Sequence, residues 1–152
     1  MSKIVADWMN RDLVTVKPNT PIADAVKLLV DRRISGLPVI DDDGKLVGII
    51  SEADLMWREQ GIEQPPYMLF LGGVIYFQNP LTYDRDLHKV LGQTVGEVMT
   101  PHAISISADT LLPTAAKIMH DKKIHRLPVV DENDRPIGII TESDIVRAIA
   151  AV

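Results

Sequence analysis

Ile124-His125-Arg126-Leu127-Pro128-Val129-Val130-Asp131-Glu132-Asn133-Asp134-Arg135-Pro136-Ile137-Gly138-Ile139-Ile140-Thr141-Glu142-Ser143-Asp144 carries the pattern that decides the fold. Leu127 to Val130 and Ile137 to Ile140 are short apolar runs on either side of a turn of Asp, Glu, Asn and Pro, which predicts a β-hairpin with both strands buried. Thr141-Glu142-Ser143-Asp144 then opens an apolar-periodic tail through Ile145, Val146 and Ile149, the start of a helix.

The same pattern occurs earlier as Ile34-Ser35-Gly36-Leu37-Pro38-Val39-Ile40-Asp41 and Gly48-Ile49-Ile50-Ser51-Glu52-Ala53-Asp54. Pro38 and Pro128 lie 90 residues apart, and the same offset relates Met9 to Met99, Thr20 to Thr110, Ala25 to Ala115, Lys27 to Lys117, Gly48 to Gly138 and Asp54 to Asp144. One gapless offset marks an internal repeat of a single supersecondary module.

Upstream of each hairpin the two copies read alike. Ile4 to Met9 and Thr94 to Met99 each predict one helical turn, the second opened by a Thr94/Glu97 capping box. Leu13-Val14-Thr15-Val16 and Ala103-Ile104-Ser105-Ile106 predict a short strand. Thr20 is placed to cap a helix beginning at Pro21, with Ile22, Ala25, Val26 and Leu29 on one face. Thr110 stands likewise before Leu112, Ala115, Ala116 and Met119.

The order is strand, helix, strand, strand, helix, an α/β (α+β) fold of tandem β-α-β-β-α modules. A right-handed crossover makes the first two strands parallel, and the hairpin makes the last pair antiparallel. One copy has too small a sheet to close a core. Two copies packed sheet to sheet about a pseudo-twofold axis would share one, with two clefts at their junction.

The copies span 4–58 and 94–150, and the segment 59–93 has no counterpart. There Pro65-Pro66 ends the preceding helix, and Tyr67-Met68-Leu69-Phe70-Leu71 and Val74-Ile75-Tyr76-Phe77 bracket Gly72-Gly73 as a hairpin. Asn79-Pro80 starts a helix running to Leu91. This apolar hairpin needs cover, either from its own module or from a partner.

Among 152 residues, 46% are hydrophobic and 24% charged, the composition of an ordinary soluble globular protein. A net charge of −5 disfavours a non-specific nucleic-acid partner, although a local basic cluster can still meet a small anion. The absence of cysteine excludes disulfides, thiolate chemistry and zinc-thiolate sites. Met1 to Trp8 has no apolar signal core, and no run approaches the roughly 20 residues that span a bilayer, so a cytosolic protein with no membrane partner is expected. The histidines lack metal-ligand spacing, and no P-loop, Gly-x-Ser-x-Gly or Gly-x-Gly-x-x-Gly motif occurs. Asp41-Asp42-Asp43-Gly44 lacks the alternation and distal Glu of a calcium loop and reads as a turn. Neither an enzyme nor a resident metal is expected.

With the Met9/Met99 lead-in, the Ile-x-x-Leu-Pro-Val-x-Asp strand and the Gly-Ile-Ile-[Ser/Thr]-Glu-x-Asp strand end all occurring twice, the chain resembles a cystathionine β-synthase (CBS) domain pair, or Bateman module. The resemblance implies the β-α-β-β-α fold, clefts that bind adenosine nucleotides, and a regulatory task without catalysis. It places Thr141 and Asp144 at the ribose, where a carboxylate can accept both protons of a cis-diol. Thr-x-x-Asp is equally a capping pattern, which by itself accounts for both residues. Ser51 and Asp54 hold the matching positions with the same ambiguity.

His125 and Arg126 would by resemblance contact phosphate, whereas the bland reading makes them a basic end to the helix that closes at Lys122-Lys123. The first copy has Ser35-Gly36 there, so unequal sites are expected. Ala103 and Ile124 would line one base slot, and Leu13 and Ile34 the other; all four suit a core equally well. Gly48 and Gly138 fall inside strands, where backbone or ligand must approach closely.

The function so implied is a stand-alone sensor of energy charge. It would bind AMP, ADP or ATP, or S-adenosylmethionine, form a homodimer and signal to an unidentified protein partner. Any magnesium would arrive with ATP. The alternative is a constitutive scaffold that uses the apolar insert and takes no ligand.

Overall fold

The computed structural model describes residues 3–56, 67–70, 73–76 and 93–151. After a 3₁₀ turn at Val5–Asp7 come α1 (Ile22–Arg32), β1 (Gly36–Ile40), β2 (Leu46–Ser51), α2 (Glu52–Met56), β3 (Tyr67–Phe70) and β4 (Gly73–Tyr76). The second copy follows as α3 (Val95–Val98), β5 (Thr100–Pro101), α4 (Leu112–Lys122), β6 (Arg126–Val130), β7 (Pro136–Thr141) and α5 (Glu142–Ala150). The helix, hairpin and helix of each copy stand where the repeat predicts them.

The leading strand is shorter than expected. Leu13–Val16 and Ala103–Ile106 each contribute one parallel bridge, Val16 to Val39 and Ile106 to Val129. Val16 N–H donates to Pro38 C=O at 3.1 Å and Ile40 N–H to Val16 C=O at 2.9 Å, with Ile106, Pro128 and Val130 repeating the pattern at 3.1 and 2.9 Å. The next rung toward the N-terminus would need Pro38 or Pro128 to donate, and proline has no N–H. The Leu-Pro-Val strand that identifies the module therefore also stops its sheet from widening.

Thr20 and Thr110 do not cap the helices that follow them. Thr20 Oγ1 accepts from Lys17 N–H at 3.0 Å in the preceding turn, and the helices begin at Ile22 and Leu112. The orphan amides at those starts are met by backbone instead: Ile22 N–H donates to Gln93 C=O at 2.9 Å and Leu112 N–H to Lys3 C=O at 3.0 Å. Each acceptor immediately precedes the lead-in of the other copy.

That exchange runs through the whole fold. One compact unit is Val14–Asp41 with Val47–Pro101; the other is Met1–Leu13 with Asp42–Leu46 and His102–Val152. Among the described residues each unit has its own buried cluster, and each cluster draws on both copies. The first gathers Ile22, Leu29, Leu37, Val39 and Ile50 around Val95 and Val98. The second gathers Leu112, Met119, Leu127, Val129 and Ile140 around Val5 and Met9. Val95 N–H donates to Thr20 C=O and Val5 N–H to Thr110 C=O, both at 2.8 Å, so the 90-residue offset holds for hydrogen bonds as well as for letters.

Gly48 and Gly138 are the contact points of that exchange. A Cβ at Gly48 would stand 2.7 Å from Thr100 O and 2.8 Å from Met99 Sδ; one at Gly138 would stand 2.5 Å from Met9 Sδ and 3.2 Å from Asn10 O. The close approach foreseen from the sequence is thus made by the opposite lead-in. β5 crosses the same point, pairing antiparallel with β2 at Gly48 to Pro101.

In the second hairpin β6 and β7 pair antiparallel, with an irregularity between Val129 and Val130. The hairpin expected within the insert is present, pairing Tyr67 with Tyr76 and closing at Phe70 to Gly73, which makes Gly73 the first residue of a strand rather than part of the turn. The helix end at Pro65-Pro66 and the helix from Asn79-Pro80 to Leu91 lie outside the described residues. Among the described residues no helix is long and apolar enough to cross a membrane.

Because a backbone carbonyl cannot yield as a side-chain tip can, Gly48→Ala is expected to lower the free energy of unfolding in urea by about 1–3 kcal/mol. A loss within error of wild type would contradict the close approach of Thr100.

Candidate functional site

The start of α5 brings together the polar residues singled out in the sequence. β7 delivers Thr141 in extended conformation as N-cap, and Asp144 follows in the first turn, only 5% exposed. Asp144 Oδ2 accepts from Thr141 N–H at 2.8 Å and from its hydroxyl at 3.1 Å, while Asp144 N–H returns a bond to Thr141 Oγ1 at 3.3 Å. The capping reading of Thr-x-x-Asp is therefore realised in full. Asp144 Oδ1, the other oxygen, receives the Arg147 guanidinium.

The first copy repeats the cap with a different ending. Asp54 Oδ2 accepts from Ser51 N–H at 2.9 Å and from the Ser51 hydroxyl at 3.2 Å. Its Oδ1 accepts from the Thr100 hydroxyl at 3.1 Å. A neutral donor from the exchanged lead-in thus stands where the second copy has a guanidinium.

His125 is exposed just before β6, and Arg126 is the half-buried first residue of that strand. Glu142 N–H donates to His125 C=O at 3.1 Å, and His125 Nδ1 lies 3.0 Å from Glu142 Oε1. The start of β6 is thereby pinned beside the α5 start, which brings His125 and Arg126 into the neighbourhood of Thr141; Arg126 and Thr141 are direct partners in the β6–β7 register. The matching backbone bond in the first copy runs from Glu52 N–H to Ser35 C=O at 3.0 Å, without a basic side chain.

The four residues assigned to base slots divide differently. Ala103 and Ile124 are half-buried in the second unit, where Ile124 packs against the core. Leu13 belongs to that unit and Ile34 to the other, where it packs against the first core. Ile34 and Ile124 therefore have a packing role.

Three partners escaped the sequence reading: Arg147, Glu142 and Thr100. Asp144 and Arg147 are spaced i, i+3 on a helix, a legible signal; the other two bonds depend on tertiary placement. Lys3 was missed as well. Its ammonium donates to Ala148 C=O and, at 2.9 Å, to Ala151 C=O, and sits 5.5 Å above the Trp8 ring, closing the far end of α5.

A cavity of about 520 Å³ lies beside that far end, lined by Leu111, Leu112, Ile145 and Ile149 among others. It includes none of the predicted site residues. Among the described residues no group of three or more His, Cys, Asp or Glu is placed to hold a metal ion.

Two tandem modules, each with a β-hairpin ending in a carboxylate-capped helix, define a CBS-domain pair. The chain belongs to that family: the CBS domain model matches residues 5–60 and 95–151. It is 38% identical over 148 residues to the CBS domain-containing protein CBSX1, chloroplastic, of Arabidopsis thaliana, an alignment covering 95% of this chain and 63% of that relative. The chain thus spans less than two thirds of that relative's length. A crystal structure of Arabidopsis thaliana CBSX2 in complex with AMP superposes with a TM-score of 0.73 at 34% identity, covering 98% of this chain and 97% of that one. The CBS domain pair of protein MJ0100, solved with 5′-methylthioadenosine and S-adenosyl-L-methionine, superposes with a TM-score of 0.73 at 27% identity, covering 99% and 98%.

Without ligand, Asp144→Ala is expected to lower stability by about 1–2 kcal/mol, the worth of a cap, and to leave the fold standing. Circular dichroism with a urea titration measures this; loss of the folded signal at zero denaturant would contradict it.

Proposed function

We propose that the second copy of this module binds an adenosine nucleotide at Thr141, Asp144, His125 and Arg126, and that the protein works as a regulatory sensor without catalysis. The observation that carries the reading is Asp144: a buried carboxylate fixed at a helix start and bonded to Thr141, whose partner on the neighbouring strand is Arg126. A relative of similar length in its solved chain holds AMP, and another holds two adenosine derivatives, so the shared chemistry is an adenosine moiety.

In this reading the carboxylate takes the ribose diol. Arg126 and His125 take phosphate, Arg126 at any pH because guanidinium stays charged. Ala103 and Ile124 offer apolar surface to the base. Ser51, Asp54 and Ile34 form the weaker counterpart, because the first copy has Ser35-Gly36 in place of the basic pair. Discrimination among AMP, ADP and ATP, the last with magnesium, would make the module report energy charge to a protein partner, and it would do so as a homodimer.

A ligand at about 100 times its Kd stabilises the folded state by about 2.7 kcal/mol. AMP is therefore expected to raise the thermal midpoint by about 5–10 °C. Asp144→Ala should weaken AMP about tenfold or more, since it removes charge-assisted hydrogen bonds. Arg126→Ala should weaken AMP about tenfold and adenosine by less than about twofold. No shift with AMP, ADP, ATP or S-adenosylmethionine would sink the sensor reading in favour of a constitutive scaffold. Equal losses of AMP and adenosine in Arg126→Ala would place phosphate elsewhere.

A further inference from the structure

An ionised carboxylate offers about four acceptor positions, two on each oxygen. On Asp144, Oδ2 takes both the N–H and the hydroxyl of Thr141, and that hydroxyl is itself held by Asp144 N–H at 3.3 Å. Oδ1 is the oxygen left for anything else, and the Arg147 guanidinium already uses one of its two positions. A vicinal diol brings two O–H donors and needs both.

The two partners of this ion pair differ in their surroundings. The Asp144 side chain is 7% exposed and the Arg147 side chain 63%. Arg147 can leave into water at little cost, whereas the carboxylate must be given replacement donors at once. A diol supplies two, and a single hydroxyl supplies one. In the first copy the corresponding oxygen of Asp54 holds the neutral Thr100 hydroxyl, so competition from a charged group is peculiar to the second copy.

We propose that Arg147 is a specificity-determining residue that competes with the sugar for Asp144: a ribose diol binds only by displacing the guanidinium, while a sugar with one hydroxyl at that edge binds beside it. The proposal rests on the assignment of Asp144 to the ribose. Arg147 therefore restrains ribonucleoside binding and narrows the gap between ribose and deoxyribose ligands, and its removal widens that gap.

The test uses the full chain and two uncharged probes, adenosine and 2′-deoxyadenosine, so that loss of a positive charge cannot act through phosphate. Isothermal titration calorimetry is run on wild type, Arg147→Ala, Arg147→Gln and Asp144→Ala, each checked for folding by circular dichroism. Arg147→Ala should bind adenosine about fivefold more tightly, the size of an ion pair with one partner in water, and 2′-deoxyadenosine within about twofold of wild type. Arg147→Gln, which keeps part of the stem and a neutral donor, should fall between.

Weaker adenosine binding in Arg147→Ala, or equal changes in both probes, would overturn the role of Arg147. If Asp144→Ala binds adenosine as wild type does, the ribose assignment fails first. If Asp144→Ala loses adenosine while Arg147→Ala gains nothing, the assignment stands and only the competition falls. No heat from wild type with adenosine overturns both.

Discussion

The close approach of each lead-in to a glycine in the opposite copy is the constraint on which the rest depends. Met9 lies on Gly138, and Met99 and Thr100 lie on Gly48, at distances essentially no Cβ would allow, with Asn10 close beside Gly138. A module of one helix and one hairpin cannot close a core, and here each borrows its closing turn from the other copy. Val5 and Val95 are fully buried as a result, and the first amides of α1 and α4 find acceptors that no side chain provides. The two copies are consecutive in sequence, yet each core is completed by the other copy.

The same exchange reaches the candidate site. Thr100, part of a borrowed lead-in, holds Asp54, and Lys3, from the other lead-in, closes the far end of the helix that Asp144 opens. In one copy a lead-in touches the carboxylate directly; in the other it closes the opposite end of the helix. Identical helix starts thus acquire different outer partners, a hydroxyl for Asp54 and a guanidinium for Asp144. Near-identical sequence at Ser51-Glu52-Ala53-Asp54 and Thr141-Glu142-Ser143-Asp144 need not mean equal affinity.

Much of the fold could be read before any coordinates. The hairpins, the helix stripes through Ile22, Ala25 and Leu29 or Leu112, Ala115 and Met119, and the Thr94/Glu97 box follow from periodicity and capping, which are local. The exchange could not be read, because a 90-residue offset relates Met9 to Met99 without saying which copy's glycine either one meets. The widths of the leading strands were misjudged since Pro38 and Pro128 act on a neighbouring strand, not on their own. Thr20 and Thr110 misled as caps because backbone carbonyls reached the helix starts first. At the site, Thr141 and Asp144 were legible as a pair from spacing, whereas Glu142 beside His125 and Thr100 beside Asp54 required tertiary contact. The cytosolic expectation rested on apolar runs alone, since lack of cysteine leaves the compartment open.

Nuclear Overhauser contacts from the methionine methyl groups test the exchange most directly. The structure predicts contacts from the Met9 methyl to the Gly138 Hα protons and from the Met99 methyl to those of Gly48. Contacts from Met9 to Gly48 and from Met99 to Gly138 would mean that each copy closes on its own lead-in, and the account of two mutually completed cores would be wrong.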